Sequence, residues 1–277
     1  KTNWNAKNFR LMQTPIHSTS KINWTEVIPH REDVLLRSID IFKNYLVVNE
    51  RSDGLKKTRV INWIDNSEYY ISFNDPSYSL YSSTNLEFDT DLFRFVYSSF
   101  TTPRSVYDFN MLTKERVLLK QKKVLGGKFS ADNYVSERIF AISRDGKTEI
   151  PISLVYKKGI QKSGKNPLLL NGYGSYGSTS DPYFSSVRLS LLDRGFIFAI
   201  AHVRGGQEMG RDWYEDGKLL KKKNTFFDFI DCAKHLIDSK FTSNKHIYAS
   251  GGSAGGLLMG AVMNMEPELF NGVIAGV

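Results

Sequence analysis

The pattern of hydrophobic residues changes near residue 130, and this change limits the folds open to the chain. Before it, short stretches rich in aromatic and β-branched residues alternate with turn signals, as in antiparallel strands. Residues 45–50 and 58–63 flank Asp53-Gly54, a pair that favours a tight hairpin. Grouped short strands of this kind indicate either a β-sandwich or the blades of a β-propeller. No exact repeat is visible, so the pattern alone leaves both open.

After residue 130, strands alternate with helices. We predict strands over 139–142, 152–156, 168–170, 196–201, 247–249 and 272–277, and helices over 184–192, from Thr225 onward, and over 257–264. We expect Thr225 to cap its helix, with Asp228 three residues further on. The all-apolar stretch 196–201 is typical of a parallel strand covered on both faces. The alternation predicts a mostly parallel α/β sheet.

Composition excludes several classes of protein. The chain has 277 residues, of which 41% are hydrophobic and 24% charged, which is usual for a globular protein and excludes disorder or a coiled coil. No apolar stretch approaches the about 18–20 residues of a membrane helix. The formal net charge is +8, but the only dense basic run, residues 221–223, is expected to be a solvated turn, so we expect no nucleic-acid partner. The single cysteine, Cys232, favours a reducing compartment, which we predict to be the cytoplasm.

The string Gly251-Gly252-Ser253-Ala254-Gly255 lies between a predicted strand and a predicted helix. A serine in this G-x-S-x-G context occupies a strained turn that lifts its hydroxyl above the sheet edge. The next amide, on Ala254, then points to where an acyl oxyanion forms, at the positive end of a helix. The motif predicts that Ser253 is a nucleophile. A glycine-rich turn that merely packs a helix on a strand is the alternative.

A second glycine motif covers residues 172–177 and matches G-x-G-x-x-G after a strand. It could bind a dinucleotide, with Arg204 meeting the 2′-phosphate of NADP. However, residues 178–182 delay the helix that such a fingerprint must open directly. In a serine hydrolase the same segment would supply a second oxyanion donor, which explains it better.

Five ordered motifs carry a family resemblance. They are NGYGSYG (171–177), HVRGG (202–206), DWYEDGK (212–218), KKNTF (222–226) and GGSAGG (251–256). Together they resemble the prolyl oligopeptidase family of serine peptidases, and within it the oligopeptidase B branch, while residues 103–119 look like the end of the family's propeller. The resemblance implies an α/β-hydrolase domain preceded by the last blades of a seven-bladed β-propeller. We therefore expect a partial propeller over residues 1–128 and the N-terminal part of the catalytic domain over 129–277.

The resemblance also implies roles for particular residues. Ser253 matches the nucleophile, and the Tyr173 hydroxyl and the Ala254 amide match the oxyanion donors. Asp181 matches the first acid of an Asp-x-Asp pair that holds basic substrate side chains, but Tyr183 stands at the second position. The implied activity is hydrolysis of short peptides after Arg or Lys, without a metal ion or cofactor. Arg204 is expected to be structural.

A serine nucleophile needs a histidine base and an acid that orients it. The residues after Ser253 include Glu266 and Glu268 but no histidine. Among the earlier histidines only His202 is predicted near the same sheet edge, where we expect a packing or hydrogen-bonding role. We therefore expect the chain to be an internal fragment whose partner is the remainder of its own enzyme, namely upstream blades and a downstream Asp/His segment. An acylaminoacyl peptidase or esterase and a non-catalytic binding module are the alternatives.

Overall fold

A computed structural model describes all residues from 1 to 277, and its first part consists of antiparallel sheets. Strands β1 (Leu11–Gln13) and β2 (Thr25–Ile28) form a pair; β3 (Val34–Ile41), β4 (Tyr45–Ser52), β5 (Leu55–Asn62) and β6 (Glu68–Tyr70) form one four-stranded sheet; β7 (Tyr78–Ser82), β8 (Leu92–Ser99), β9 (Ser105–Asn110) and β10 (Arg116–Gln121) form another. Within each four-stranded sheet, neighbours in the chain are neighbours in space. Such meanders are the unit of a propeller blade.

Aromatic side chains hold the two four-stranded sheets together. One buried cluster joins Val47 and Val60 of the first sheet to Phe93, Phe95 and other residues of the second. The predicted hairpin between β4 and β5 is confirmed, because Asp53 and Gly54 have φ of 53° and 75°. A two-residue turn with both values positive matches the right-handed twist of the strands it joins.

The second part is built on one six-stranded sheet. Its strands are β11 (Tyr134–Ile142), β12 (Glu149–Lys157), β13 (Leu168–Asn171), β14 (Ile197–Ala201), β15 (Ile247–Gly251) and β16 (Gly272–Ala275), in the spatial order β11-β12-β14-β13-β15-β16. β11, β12 and β14 pair antiparallel, whereas β14, β13, β15 and β16 pair parallel. The predicted mostly parallel sheet is therefore confirmed.

Helices cover both faces of this sheet. They are α1 (Ser186–Leu192), α2 (Arg211–Glu215), α3 (Lys223–Asp238) and α4 (Ala254–Met265). On one face, residues of the sheet share a buried core cluster with Phe229 of α3 and Leu258 of α4. On the other face, Ile200 packs against Leu192 of α1. The apolar strand β14 is thus covered on both faces, as predicted. None of these helices combines the length and the apolar character needed to cross a membrane.

The prediction that Thr225 caps a helix was wrong. Helix α3 begins two residues earlier, and the Thr225 hydroxyl donates to the Arg204 carbonyl oxygen at 2.7 Å. Asp228 is fully buried and accepts hydrogen bonds from the Arg204 guanidinium at 2.6 and 2.8 Å. Both side chains are hydrogen-bonded to Arg204, which is distant in the chain. These buried contacts take the place of the capping box that the local sequence predicted. The expectation that Arg204 is structural agrees with this buried ion pair.

Candidate active site

Ser253 lies in a strained turn between β15 and α4. Its φ of 55° and ψ of −121° are rare for a residue with a side chain, and the serine is exposed. A Cβ on Gly251 would lie 2.4 Å from the Gly255 carbonyl oxygen, and a Cβ on Gly255 would lie 2.7 Å from the Gly172 carbonyl oxygen. The glycines are therefore required by close backbone contacts. A turn that only packed a helix on a strand would not need an exposed serine in this conformation.

The residue after the serine begins a helix. Ala254 is the first residue of α4, and the first amides of a helix have no intrahelical acceptor. The helix dipole adds positive potential at the same place. The Ala254 N–H is therefore suited to bind an oxygen atom that becomes negatively charged.

The loop that holds Tyr173 runs beside this turn. The Gly172 amide donates to the Ser250 carbonyl oxygen at 3.1 Å, and the Asn171 side chain donates to the Ser250 hydroxyl at the same distance. A Cβ on Gly255 would lie 3.6 Å from Tyr173 Cα. The fold therefore brings Tyr173, a half-buried residue, to the sheet edge that carries the serine.

The second glycine motif does not form a phosphate cradle. The Gly177 amide donates to the Gly205 carbonyl oxygen at 2.9 Å, and the Ser178 amide donates to the Ser175 carbonyl oxygen at 2.9 Å. The next helix begins only at Ser186, and Arg204 is already paired with Asp228. A dinucleotide fingerprint needs free amides at the start of a helix. The dinucleotide alternative was therefore wrong.

Asp181 lies between the two parts of the chain. Its carboxylate contacts Arg51 at 2.5 Å and Lys56 at 2.9 Å, and both cations belong to the β4–β5 hairpin region. Burial acts to raise the pKa of this carboxyl group, but the two cations outweigh burial and hold the pKa at about 2. Tyr183, two positions further on, is 55% exposed. No local sequence pattern connects Asp181 to these two cations, because they lie more than 120 residues upstream.

His202 does not meet the serine. Its ring is buried, and Nε2 shares a hydrogen bond with the Ser153 hydroxyl at 2.8 Å. His202 directly follows β14, and β13 separates β14 from β15, which places the two strands about 10 Å apart at normal strand spacing. The fold therefore brings Ser253, the Ala254 amide and the Tyr173 loop to one sheet edge, while the His202 ring is hydrogen-bonded to Ser153.

A strained serine between a strand and a helix of a mostly parallel, helix-covered sheet defines an α/β-hydrolase domain, here preceded by propeller-like sheets. Family models agree with this architecture. Residues 1–122 match the model described as the prolyl oligopeptidase N-terminal beta-propeller domain, and residues 182–277 match the prolyl oligopeptidase family model. The chain belongs to the prolyl oligopeptidase family of serine peptidases. The predicted resemblance and the predicted propeller are confirmed, and the sandwich alternative was wrong.

Relatives cover the whole chain. It is 47% identical to dipeptidyl aminopeptidase BI of Pseudoxanthomonas mexicana over 97% of its length, and 41% identical to protease 2 of Moraxella lacunata over 100%. The solved structure of oligopeptidase B from Trypanosoma brucei with covalently bound antipain superposes with a TM-score of 0.90 at 42% identity, covering 98% of the chain. The chain spans 37% to 39% of the length of these relatives.

Proposed function

We propose that this chain carries the nucleophile and the oxyanion hole of a serine oligopeptidase that cuts short peptides after Arg or Lys. The observation that carries the proposal is the strained, exposed Ser253 between β15 and α4, next to the Tyr173 loop. Ser253 is the nucleophile, and the Ala254 amide and the Tyr173 hydroxyl are the oxyanion donors.

The reaction follows from these roles. The Ser253 hydroxyl oxygen attacks the scissile carbonyl carbon, and its proton passes to a base. The Ala254 amide and the Tyr173 hydroxyl stabilise the negative oxygen of the tetrahedral intermediate. The base then protonates the leaving amine, and water hydrolyses the acyl-enzyme ester. We propose that the base is a histidine oriented by an aspartate, both supplied by a segment outside these 277 residues.

We also propose a division of labour along the chain. Residues 1–128 form blades of a propeller that limits access to short peptides, and residues 129–277 form the first part of the catalytic domain. The family-model boundaries at residues 122 and 182 support this division. The single cysteine supports a cytoplasmic location.

The preference for basic residues is supported by the likeness to oligopeptidase B and by one acid. Asp181 already contacts Arg51 and Lys56, whose side chains are 1% and 22% exposed. Arg51 cannot reach solvent, but Lys56 can turn outward. We propose that a substrate cation binds Asp181 by taking the place of Lys56.

A second candidate activity is supported by the relative at 47% identity, which is named a dipeptidyl aminopeptidase. Such an enzyme requires a free N-terminus two residues before the cut. A blocked fluorogenic substrate ending in arginine and an unblocked dipeptide analogue separate the activities. Faster cleavage of the blocked substrate supports the oligopeptidase, and cleavage of the unblocked one alone supports the aminopeptidase. Release of acylated N-terminal residues alone would support the acylaminoacyl-peptidase alternative.

Fluorophosphonate labelling tests whether Ser253 is activated. The 277-residue chain and the complete polypeptide that contains it are labelled in parallel, each with a Ser253→Ala control, and the labelled peptide is located by mass. We expect Ser253 to be labelled in the complete polypeptide and at a much lower rate in the isolated chain, because the base is absent there. A complete polypeptide that is not labelled at Ser253 would instead support a non-catalytic binding module.

A further inference from the structure

The basic run at residues 221–223 is not uniformly solvated. Lys221 is 61% exposed at its side chain and pairs with Asp216, and Lys223 is exposed. Lys222 turns inward at the start of α3 and is only partly exposed. The prediction of a solvated turn was therefore wrong for this residue, and a lysine that gives up water needs a structural or functional reason.

Lys222 uses all of its donors on neutral oxygen atoms. Its ammonium group donates to the Gly174 carbonyl oxygen at 2.6 Å, to the Ser175 hydroxyl at 2.8 Å and to the Thr225 hydroxyl at 3.3 Å. An ammonium has three N–H donors, so none remains. No carboxylate forms a salt bridge with it, and burial lowers the pKa of Lys222 to about 8. Two of the three bonds therefore hold the Gly174-Ser175 loop, the third goes to α3, and Lys222 is not half of an ion pair.

The loop that Lys222 holds is the one that carries Tyr173. Gly174 follows Tyr173 directly and has a φ of 65°. A Cβ on Gly174 would lie 2.4 Å from Thr225 Cγ2, so the loop rests tightly on the start of α3. Because the Tyr173 side chain projects from this backbone, a shift of the Gly174 carbonyl group moves its hydroxyl.

We infer that Lys222 is a positioning residue, which sets the place of the Tyr173 hydroxyl by donating to the Gly174 carbonyl oxygen and to the Ser175 hydroxyl. This inference rests on the proposed function, in which Tyr173 donates to the oxyanion. All three hydrogen bonds of Lys222 go to protein oxygen atoms, so its role is to act through Tyr173. A contact made only in the transition state affects kcat, because the ground state does not use it.

A double-mutant cycle with Lys222→Met and Tyr173→Phe in the complete polypeptide tests the inference, with Lys221→Met as the matched control from the same run. We expect Tyr173→Phe to lower kcat about a hundredfold, as loss of an oxyanion donor does. Lys222→Met should lower kcat about tenfold with KM changed less than about twofold, since misplacement by about 1 Å has effects of this order or larger. In the Tyr173→Phe background, Lys222→Met should cost less than about twofold. Lys221→Met should leave kcat unchanged.

The outcomes separate the two proposals. If Tyr173→Phe lowers kcat but Lys222→Met costs the same in both backgrounds, or raises KM alone, the positioning role is refuted and the oxyanion assignment stands. If Tyr173→Phe leaves kcat unchanged, both fail. Circular dichroism checks the folding of every variant. Should Lys222→Met not fold, Lys222→Gln takes its place in the cycle. We again expect its effect on kcat to be much smaller in the Tyr173→Phe background, and an equal effect in both backgrounds would refute the positioning role.

Discussion

Replacing Asp181 by asparagine removes the negative charge that two cations of the β4–β5 hairpin region share. Asparagine keeps the shape and one acceptor oxygen, but it leaves Arg51, whose side chain is 1% exposed, with a buried charge and no anion. Lys56 is 22% exposed and can turn toward water. The change therefore tests how much this buried link between the two parts of the chain contributes to stability.

The magnitude follows from the pKa. In the folded chain the two cations, acting against burial, move the pKa of Asp181 from 3.8 to about 2. A shift of this size corresponds to about 2 kcal/mol of folding free energy. Removing one partner of a buried pair typically costs about 3–5 kcal/mol. Because Lys56 can find solvent, we expect Asp181→Asn to lower the free energy of unfolding by about 2–3 kcal/mol at pH 7, which is at or below the lower limit of this range.

The effect must depend on pH with a definite sign. A carboxyl group whose folded pKa is below its unfolded value of 3.8 stabilises the fold fully above that value and loses the contribution as pH falls toward about 2. Urea unfolding from pH 7 down to pH 2.5, followed by tryptophan fluorescence, measures this. The gap between the wild type and Asp181→Asn should be constant above about pH 5 and shrink below about pH 4.

A matched control comes from the same hairpin. Asp53 is 75% exposed at its side chain and lies 3.5 Å from Lys57, so Asp53→Asn removes a surface ion pair. We expect it to cost less than about 0.5 kcal/mol, since exposed pairs contribute little. The reasoning would be refuted if Asp181→Asn cost no more than this control at pH 7, or if its cost were unchanged at pH 2.5.

Three further substitutions test the packing around the site. Gly255→Ala would put a Cβ 2.7 Å from a backbone carbonyl oxygen, so we expect a loss of more than about 2 kcal/mol in urea unfolding, and a smaller loss would contradict the close approach. Gly260→Ala in the same helix meets nothing within 4 Å and should raise the unfolding free energy by about 0.5–1 kcal/mol; a loss would show that the space is not open. Asp228→Asn removes the fully buried carboxylate partner of Arg204 and leaves it only Asp145, at 3.3 Å. We expect a cost of about 3 kcal/mol in thermal unfolding, whereas a cost below about 1 kcal/mol would refute a strong contribution from the buried pair.

The features that the sequence predicted well depend on neighbours along the chain. Asp53-Gly54 predicts its hairpin because both residues tolerate positive φ, and that property does not depend on the rest of the fold. Ser253 is predicted at a strained turn because glycines on either side, between an apolar strand and an apolar helix, permit a backbone approach that side chains would block.

The features that the sequence predicted wrongly depend on residues far away in the chain. A capping pattern at Thr225 and Asp228 is genuine locally, but burial against Arg204 offers both side chains partners that a solvated helix end does not. Likewise, a run of three lysines is solvated on average, and only the packing of the Gly174 loop on α3 selects Lys222 for the interior.

The sequence by itself determined the order of strands and helices, the serine turn and the family, because these follow from local backbone preferences and from motifs with fixed spacing. Only the tertiary structure decided which partner each buried charge meets. Asp181 meets Arg51 across 130 residues of chain, and Lys222 meets Gly174 across 48. Such pairs form because a buried charge must find a partner in the folded state, and the identity of that partner depends on which segments the fold brings together.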